Sequence, residues 1–493
     1  MIINTVVLVC GTLAICIPMG VLLAVCITRT NLPGRRGLLL LIGLLLLVPL
    51  YLQTGAWQAG FGLQGWYTLA SGHELVKQMR GAVWVHGVSG VAWVTLIVAV
   101  GLRTVPRALE EEALLHGSAA VVLRTVTLPQ AFGAMGIAAL WVAVTTAGEM
   151  TVTDLFRVRT YAEELYLAHA ATADMDATAL QLIPGMIVTA VMVAAGLLLC
   201  HRLMPRQESI SFRPQRDFDL GGWRWPLFGL VVAIVLVLVG IPLWNLVYRA
   251  GVEVSGTADG VTARSWQISK FIELVFVQSH QQFGQELLCS LVVGISSASL
   301  VLVFASLLAW WGGAGRWQAA GVYLVVAICL AVPGPLLGVA VIGLLSGWPR
   351  VYDSLVAPSL AISLSALPVA TMIMWHALRS IPASVLDAAR QEGASPAAQL
   401  LYLALPARWP ALAICWLIVL ILAVGDLSAS QLVQVPGQET LANRVFDRLH
   451  SGAYDQVCGA FLALLGLLAC LTPLLFYLAR LWQRQLVGSG QVE

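Results

Sequence analysis

The sequence predicts an all-α membrane protein, and three observations support this fold class: an apolar composition, repeated long apolar runs, and an internal duplication. Of the 493 residues, 59% are hydrophobic and 11% are charged, and the mean hydropathy is +0.86. A soluble domain usually carries about 25% charged residues, so this chain has too little polar surface to face water on all sides. The net charge of +2 gives no indication of a nucleic-acid partner.

Apolar runs long enough to cross a bilayer recur along the whole chain. A membrane-spanning helix needs about 20 predominantly apolar residues. Eleven runs of that order occur, near residues 2–27, 37–55, 81–102, 130–148, 177–200, 225–248, 287–315, 317–349, 354–378, 409–425 and 456–479. We therefore expect about 11 transmembrane helices.

The positions of Lys and Arg predict the orientation of these helices. The first cationic side chain is Arg29, directly after the first apolar run. Loops on the cytoplasmic side carry an excess of Lys and Arg. If the N-terminus is outside, every second loop lies inside, and these inside loops hold the majority of the 27 Lys and Arg residues. We therefore expect the N-terminus outside and the C-terminus inside.

Two segments repeat one spacing of residues. Residues 111–129 (the first loop) read EEALLHGSAAVVLRTVTLP, and residues 387–406 (the second loop) read DAARQEGASPAAQLLYLALP. In both, an acidic residue stands six before a Gly, and a Leu-Pro pair closes the segment. Twenty residues after each of these prolines comes another acidic residue, Glu149 or Asp426. The sequence therefore contains an internal duplication.

The duplication predicts two parallel repeats. Six predicted helices separate the two loops, so both copies have the same orientation, related by an axis along the membrane normal. The first repeat is residues 1–200 with about five helices, and the second is residues 225–493 with about six, one of them an extra leading helix. Residues 201–224, with five Arg, form a cytoplasmic linker between the repeats.

Each repeated loop has the composition of a helix, a bend and a second helix. Ala, Leu, Glu and Arg before the Gly favour a helix, and acidic residues at its start complement the helix dipole. Gly permits a tight bend and the close approach of another surface. A single loop of this kind is also typical of a solvated connection, but two matched copies favour a docking element.

This pattern resembles the EAA loop of the permease subunits of binding-protein-dependent ABC importers, which reads EAA, three residues, Gly, nine residues and Ile-x-Leu-Pro. The second loop matches that spacing in full, with Asp387 for Glu and Leu403 for Ile. The first loop is one residue shorter between Gly117 and Pro129, and Glu112 replaces the first Ala. Two such loops in one chain indicate a fused permease.

The resemblance implies a type I ABC importer permease fold in the bacterial inner (plasma) membrane, with a periplasmic N-terminus and a cytoplasmic C-terminus. It also implies two partners, an ABC ATPase dimer on the cytoplasmic side and a periplasmic substrate-binding protein. Permeases of this family usually begin with one more helix than residues 2–27 supply. The ATPase-coupling residues that the resemblance implies are Glu111, Glu112, Ala113, Gly117, Leu128 and Pro129 in the first loop, and Asp387, Ala388, Ala389, Gly393, Leu405 and Pro406 in the second.

The sequence offers no site for ATP hydrolysis or other catalysis. A phosphate-binding loop of the G-x-x-x-x-G-K-[ST] type needs a Lys after glycines, and the only lysines are Lys77 and Lys270, neither in that context. We therefore expect no cofactor on this chain, and ATP is used by a partner subunit. The nine Cys contain no CxxC pair, so no metal site is predicted. His86 and His376, which lie inside predicted spans, are interpreted as packing residues rather than as substrate ligands.

Three carboxylates at the ends of predicted spans are candidates for the transport pathway or its gate: Glu149, Asp154 and Asp426. They are equally typical of caps on the next helix or, for Asp154, of contacts with Arg157 and Arg159. The flanking segments 148–166 and 425–456 are similar to those of fused ferric iron permeases, which implies iron(III) as the substrate. Polyamine, thiamine and sulfate permeases share the fold and are alternatives, and an ion-coupled secondary transporter or a membrane enzyme explains two EAA loops less well.

Overall fold

A computed structural model of the chain describes residues 1–172, 185, 187, 189–191, 193–194, 217–256, 262–451 and 454–489. The described chain is mostly helical and forms two compact units. Unit 1 consists of Met1–Ala173, Leu180–Gly284 and Val445–Leu468, and unit 2 consists of Asp174–Ala179, Gln285–Arg444 and Ala469–Glu493. Each unit is described by itself below.

The described helices and strands are numbered in chain order. They are α1 (Ile2–Arg29), α2 (Arg35–Leu47), α3 (Leu50–Phe61), α4 (Trp66–Ser71), α5 (Gln78–Arg103), α6 (Arg107–Leu114), α7 (Ala119–Gln130), α8 (Phe132–Gly148), α9 (Thr151–Leu155), α10 (Tyr161–Thr172), α11 (Gly221–Gly251), β1 (Val252–Gly256), β2 (Thr262–Trp266), α12 (Ile268–Gly312), α13 (Arg316–Ala331), α14 (Gly334–Leu345), α15 (Pro349–Tyr352), α16 (Val356–Arg379), α17 (Ala383–Gln391), α18 (Pro396–Ala407), α19 (Trp409–Val424), α20 (Leu441–His450) and α21 (Tyr454–Ser489).

Long apolar helices dominate this list, as the composition predicts. Within the described residues, six helices are long and apolar enough to cross a bilayer, or up to ten if each bent helix pair counts as one span. The predicted span 177–200 lies almost entirely outside the described residues, as does most of the linker 201–224. The total of about eleven spans and their arrangement in two parallel repeats therefore stay predictions.

Two runs predicted as continuous spans, 37–55 and 317–349, are broken helices in the structure. The axis turns by 100° between α2 and the helices that follow it, and by 105° between α13 and α14. Each break falls at a proline, Pro49 or Pro333, and the preceding valine is extended. Proline has no N–H to donate, and its ring disfavours helical geometry at the residue before it, so each helix ends there and a new one begins.

The expectation of an all-α chain missed one two-stranded antiparallel sheet. Strands β1 and β2 pair between α11 and α12, with Val252 opposite Trp266. Their sequence lies between the predicted spans 225–248 and 287–315, in a segment that is helical from Ile268 onward. A short hairpin between long apolar runs gives a weak periodic signal, so the sequence did not indicate it.

Helices α1, α5 and α8 form the centre of unit 1. Small residues lie where these helices cross, as is usual when membrane helices approach closely. At Gly20 of α1, an added Cβ would lie 2.5 Å from Val94 Cβ and 3.1 Å from the Val91 carbonyl oxygen of α5. Gly20 therefore sets the distance between α1 and α5.

In unit 2, helix α16 packs against α19, α14 and α13. Its core is built from small and branched apolar side chains, which also come from the second half of α12. Representative members are Ala305, Ala309, Ala366, Ala370 and Val419, all at most 5% exposed. Close packing of such side chains is the main attraction available between helices in lipid.

We expect Gly20→Ala to lower the melting temperature of the purified protein in nanodiscs, because the added methyl group overlaps Val94. Such overpacking typically costs about 1–3 kcal/mol. Gly43→Ala is the matched control, since a Cβ at Gly43 in α2 meets nothing within 4 Å and Ala favours helix over Gly. Equal melting temperatures for the two variants would show that α1 and α5 are not in this close contact.

Candidate functional site

The first loop is a helix, a turn and a second helix, as its composition predicts. In the structure it extends over α6 and α7, Arg107–Gln130, and the second loop extends over α17 and α18, Ala383–Ala407. Helix α6 begins after Pro106, whose ring suits a helix start. The chain turns at residues 115–118, where the N–H of His116 donates to the Ala113 carbonyl at 3.1 Å. Helix α7 then leads to Leu128-Pro129. The loop thus forms a compact unit of two short helices.

The second loop has the same elements with a more regular turn. Helix α17 begins after Pro382 and ends at Gly393, whose φ of +85° is left-handed. The N–H groups of Gly393 and Ala394 donate to the carbonyls of Arg390 and Ala389, both at 3.0 Å, which is the Schellman end of a helix. The Ser395 hydroxyl then accepts from Ala398 N–H at 3.2 Å and caps α18.

Both loops join the next long helix in the same way. A π-helical stretch of wider turns lies within each second helix, at Leu123–Thr127 in α7 and Gln399–Ala404 in α18. The axis then bends by 57° into α8 and by 82° into α19. π-helical turns are rare in proteins, and those that do occur often lie at functional sites. The two loops therefore share a local structure, and the duplication of the whole half stays a prediction.

The glycine of the first loop does not have the role that the sequence suggests. Gly117 lies outside the left-handed region, and a Cβ there would meet its nearest atom, Val121 Cγ1, at an ordinary 3.4 Å. Of the two loop glycines, only Gly393 has a left-handed backbone conformation that favours glycine. The turn of the first loop closes without a left-handed residue, through the hydrogen bond from His116 N–H to the Ala113 carbonyl.

None of the predicted coupling residues is buried, although Leu128 and Leu405 pack partly against apolar clusters. Glu111 pairs with Arg107 at 2.7 Å, and Asp387 pairs with Arg390 at 3.0 Å, each within its own short helix. Glu112, Ala388 and Gly393 are exposed, and Ala113 and Ala389 accept the hydrogen bonds of the turns. Leu128 and Leu405 accept from the residues at the two bends, and Pro129 and Pro406 follow them in the last turns of α7 and α18.

Exposed apolar side chains accompany these polar residues on both loops. Leu115 in the first loop is 81% exposed, and Tyr402 in the second is 82% exposed. Leu109, Val121, Val385 and Leu401 are exposed as well. Exposed apolar surface marks sites of contact with other proteins or with lipid.

Sequence reasoning missed Glu110, the residue before the predicted Glu111. Its side chain is fully buried and forms an ion pair with Arg29 at the end of α1, and it also accepts a hydrogen bond from Thr127 of α7. The signal in the sequence is that Glu110 begins a run of three glutamates in a helix whose other face is apolar. Its partner lies 81 residues earlier, which no local pattern reveals.

Glu149 and Asp426 occupy equivalent places as caps of the turn that follows a long helix. Glu149 accepts from the N–H groups of Thr151 and Val152 at 2.7 and 3.0 Å, and Asp426 accepts from Ala429 N–H at 3.0 Å. Of the two interpretations left open by the sequence, helix capping is the one with contacts in the structure. A pathway role for either carboxylate stays a prediction.

His86 lies beside Glu149, which the sequence did not indicate. Its Nε2 atom is 3.6 Å from Glu149 Oε2, and its side chain is buried on α5. The buried position agrees with the interpretation of His86 as a packing residue. His376 contacts the Trp482 ring in unit 2, with ring centroids 5.8 Å apart.

Asp154 contacts His450 rather than the arginines that the sequence suggested. Asp154 Oδ2 is 3.2 Å from His450 Nε2, and His450 Nδ1 lies 3.1 Å from the Phe446 carbonyl. The hydrogen bond to Asp154 raises the pKa of His450, and partial burial opposes it. This pair fastens α9 to the end of α20 within unit 1.

Two long segments between predicted spans, 56–80 and 250–286, are predicted to lie on the outer side and are long enough to contact a binding protein. Both contribute to the lining of a cavity of about 170 Å³ in unit 1. Its lining includes Trp66, Tyr248 and Arg264, together with Arg249 and Asp455, which form an ion pair at 2.7 Å. The aromatic residues of the first of these segments pack largely on one another. Anchoring of these aromatic residues at the membrane interface and contact with a binding protein both stay predictions.

The geometry so far describes an apolar helical protein that presents two similar helix–turn–helix loops. Residues 291–487 match the family model described as "Binding-protein-dependent transport system inner membrane component". The matched part contains the second loop and covers less than half of the chain. No curated protein matches the chain. The family match supports a multi-pass inner-membrane permease component of a binding-protein-dependent transporter.

We expect His450 to contribute stability that is lost as the pH rises through the raised folded-state pKa of this residue. A histidine whose pKa is higher in the folded state than its usual value of about 6.5 contributes stability at low pH, and this contribution is lost as the pH rises through the folded pKa. The measurement is the melting temperature against pH for the wild type and for His450→Gln.

In His450→Gln, the pH dependence of the melting temperature that His450 causes should disappear. Asp154→Asn should have the same effect, because it removes the other half of the pair. A wild type and variants with parallel pH profiles would show that the hydrogen bond to Asp154 does not hold the protonated ring.

Proposed function

We propose that the chain is the transmembrane permease of an ATP-driven ABC importer, and that its two loops dock onto the two subunits of an ABC ATPase dimer. The observation that carries this proposal is that two segments of matched spacing have one local structure: a helix, a turn and a second helix with a π-helical stretch and a bend. The family match over residues 291–487 supports it for the second loop.

The surfaces of the loops support docking. Exposed Leu115 lies in the turn after the charged helix α6, and exposed Tyr402 lies on α18. Large exposed apolar side chains of this kind suit insertion into a groove of another protein. Each loop continues through a sharp bend into a long apolar helix, α8 or α19. A displacement of the docked loop therefore moves the end of a spanning helix directly.

ATP hydrolysis belongs to the partner in this proposal. The sequence contains no phosphate-binding loop, and its two lysines lie outside any glycine-rich turn. The chain acts as a transport subunit and not as an enzyme, binds no cofactor of its own, and faces the cytoplasmic ATPase with both loops. A periplasmic substrate-binding protein delivers the solute to the opposite side, where the N-terminus lies.

Iron(III) is the substrate that we propose, with polyamine, thiamine or sulfate as the alternatives within this class of permease. Support comes from the resemblance of segments 148–166 and 425–456 to those of ferric iron permeases. In the structure these segments are organised by Glu149 and Asp426 as caps. The carboxylates therefore shape the segments, and iron(III) recognition is assigned to the binding protein, which presents hard oxygen ligands.

The test is the ATPase activity of this chain purified with the ATPase encoded beside it, in nanodiscs, with and without the neighbouring binding protein. We expect stimulation by the Fe(III)-loaded binding protein and none by the iron-free form. If the ATPase binds but its activity does not respond to iron, the permease assignment stands and the assignment of iron(III) as the substrate is refuted. Failure of any ATPase to associate would refute the docking role of the loops.

A pair of variants at Gly393 tests the loop itself. Gly393→Val places a β-branched residue in the left-handed region, which costs about 1–2 kcal/mol and corresponds to roughly tenfold weaker ATPase binding. A new side chain meets no atom within 4 Å, so the effect arises from the backbone alone. Gly393→Asn is the matched control and should weaken binding much less, since Asn tolerates this conformation. Equal affinities for the two variants would contradict a role for this turn in docking.

A further inference from the structure

A buried ion pair joins the first loop to the end of α1. Arg29 Nη2 contacts Glu110 Oε1, and both side chains are 0% exposed. Thr127 Oγ1 donates a hydrogen bond to the same carboxylate oxygen at 2.7 Å. One carboxylate therefore ties α1 to both short helices of the first loop, because Glu110 lies on α6 and Thr127 lies on α7.

Arg29 also contacts two other parts of unit 1. Its Nη1 atom lies 3.5 Å from the Leu102 carbonyl at the end of α5, and its guanidinium carbon lies 5.7 Å from the centre of the Phe218 ring. The Phe218 N–H donates to the Arg29 carbonyl at 2.7 Å. The ends of α1 and α5, the first loop and the segment before α11 thus meet at one side chain.

Stability alone does not account for this arrangement. Taking two charges out of water is expensive, and apolar residues of similar volume are often as stable or more stable. A helix-stabilising pair of the same charges already exists on the surface of α6, between Arg107 and Glu111. A buried pair instead fixes direction and distance, because its hydrogen bonds tolerate little displacement.

The second loop has apolar contacts at the same two positions, and its polar tie to a long helix lies elsewhere, where Arg408 donates to the Ser380 carbonyl at 2.6 Å. Glu110 lies seven residues before Gly117, and Leu386 lies seven before Gly393. Thr127 lies two residues before the closing proline, and Ala404 has that place in the second loop. Leu386 and Ala404 belong to one apolar cluster with Leu378 and Leu400 of unit 2. Contacts of this kind are non-directional.

We propose that Arg29 and Glu110 are positioning residues that transmit movement of the first loop to α1 and α5 through a buried ion pair, whereas the second loop has apolar packing at the two equivalent positions. This inference rests on the proposed function, since it takes the first loop as an ATPase docking element. The buried pair makes the first loop and the end of α1 move as one body. The two loops are therefore mechanically unequal although their local structures match.

The decisive variant is the double substitution Arg29→Leu/Glu110→Leu, which removes both charges together and reproduces the apolar chemistry of the second loop. Removing one charge alone would leave the other buried without compensation. The control is Arg35→Gln/Asp217→Asn, an exposed ion pair at 2.7 Å near the same end of α1. Deuterium uptake is measured for the complex with the neighbouring ATPase in nanodiscs, without nucleotide and after trapping with ATP and vanadate.

In the wild type and in the control, trapping should change the uptake of both loops and of the last turn of α1. In the double variant, the change at the last turn of α1 should be lost while the change at residues 383–407 is retained. Retention of the α1 change in the double variant would overturn the inference. Loss of the change at both loops would overturn it too, because the pair would then serve the fold in general.

A wild type whose loops do not respond to trapping at all would refute the proposed function itself, and the inference with it. Thr127→Val provides a second variant if the double substitution does not fold. It keeps the ion pair and removes only the hydrogen bond to α7. We expect a smaller uptake change at the end of α1 in that variant, and an unaltered change would also overturn the inference.

Discussion

The absence of water from the bilayer core is the constraint on which the rest of this structure depends. Backbone groups there must be satisfied within helices, so every interruption of a helix needs a local device. At Pro49 and Pro333 the interruption is a sharp bend at a residue that has no N–H to satisfy. At Glu149 and Asp426 a carboxylate accepts from the free N–H groups of the next turn. At these four positions the interruption of the helix therefore has a chemical cause.

The same constraint concentrates the functional surface in the segments between long helices. The two loops are short, rich in polar residues and joined by bends to α8 and α19. A rigid connection between a polar loop and an apolar helix is what a transporter driven from outside the membrane requires. In the first loop that connection includes the buried pair of Arg29 and Glu110, and in the second it is the apolar cluster around Leu386.

Much of this architecture is predictable from the sequence, because apolar runs and residue spacing are local signals. The helix–turn–helix of both loops and the approximate positions of most long helices follow from them. The breaks in the predicted spans 37–55 and 317–349 could not be predicted in this way. A proline alone does not decide whether a helix ends, since Pro368 lies inside the continuous helix α16 whereas Pro333 marks a break. That difference depends on neighbouring helices. The burial of Glu110 was hidden for the same reason, because Arg29 is distant in sequence.

The central claim is that both loops contact an ATPase, and site-specific photocrosslinking tests it most directly. A photoreactive residue is placed at Leu115, at Tyr402 and, as a control, at Leu63, which is 73% exposed between α3 and α4. We expect adducts with the ATPase from Leu115 and Tyr402 and none from Leu63. An ATPase that purifies with the chain but forms no adduct at either loop, or forms as many at Leu63, would contradict the claim.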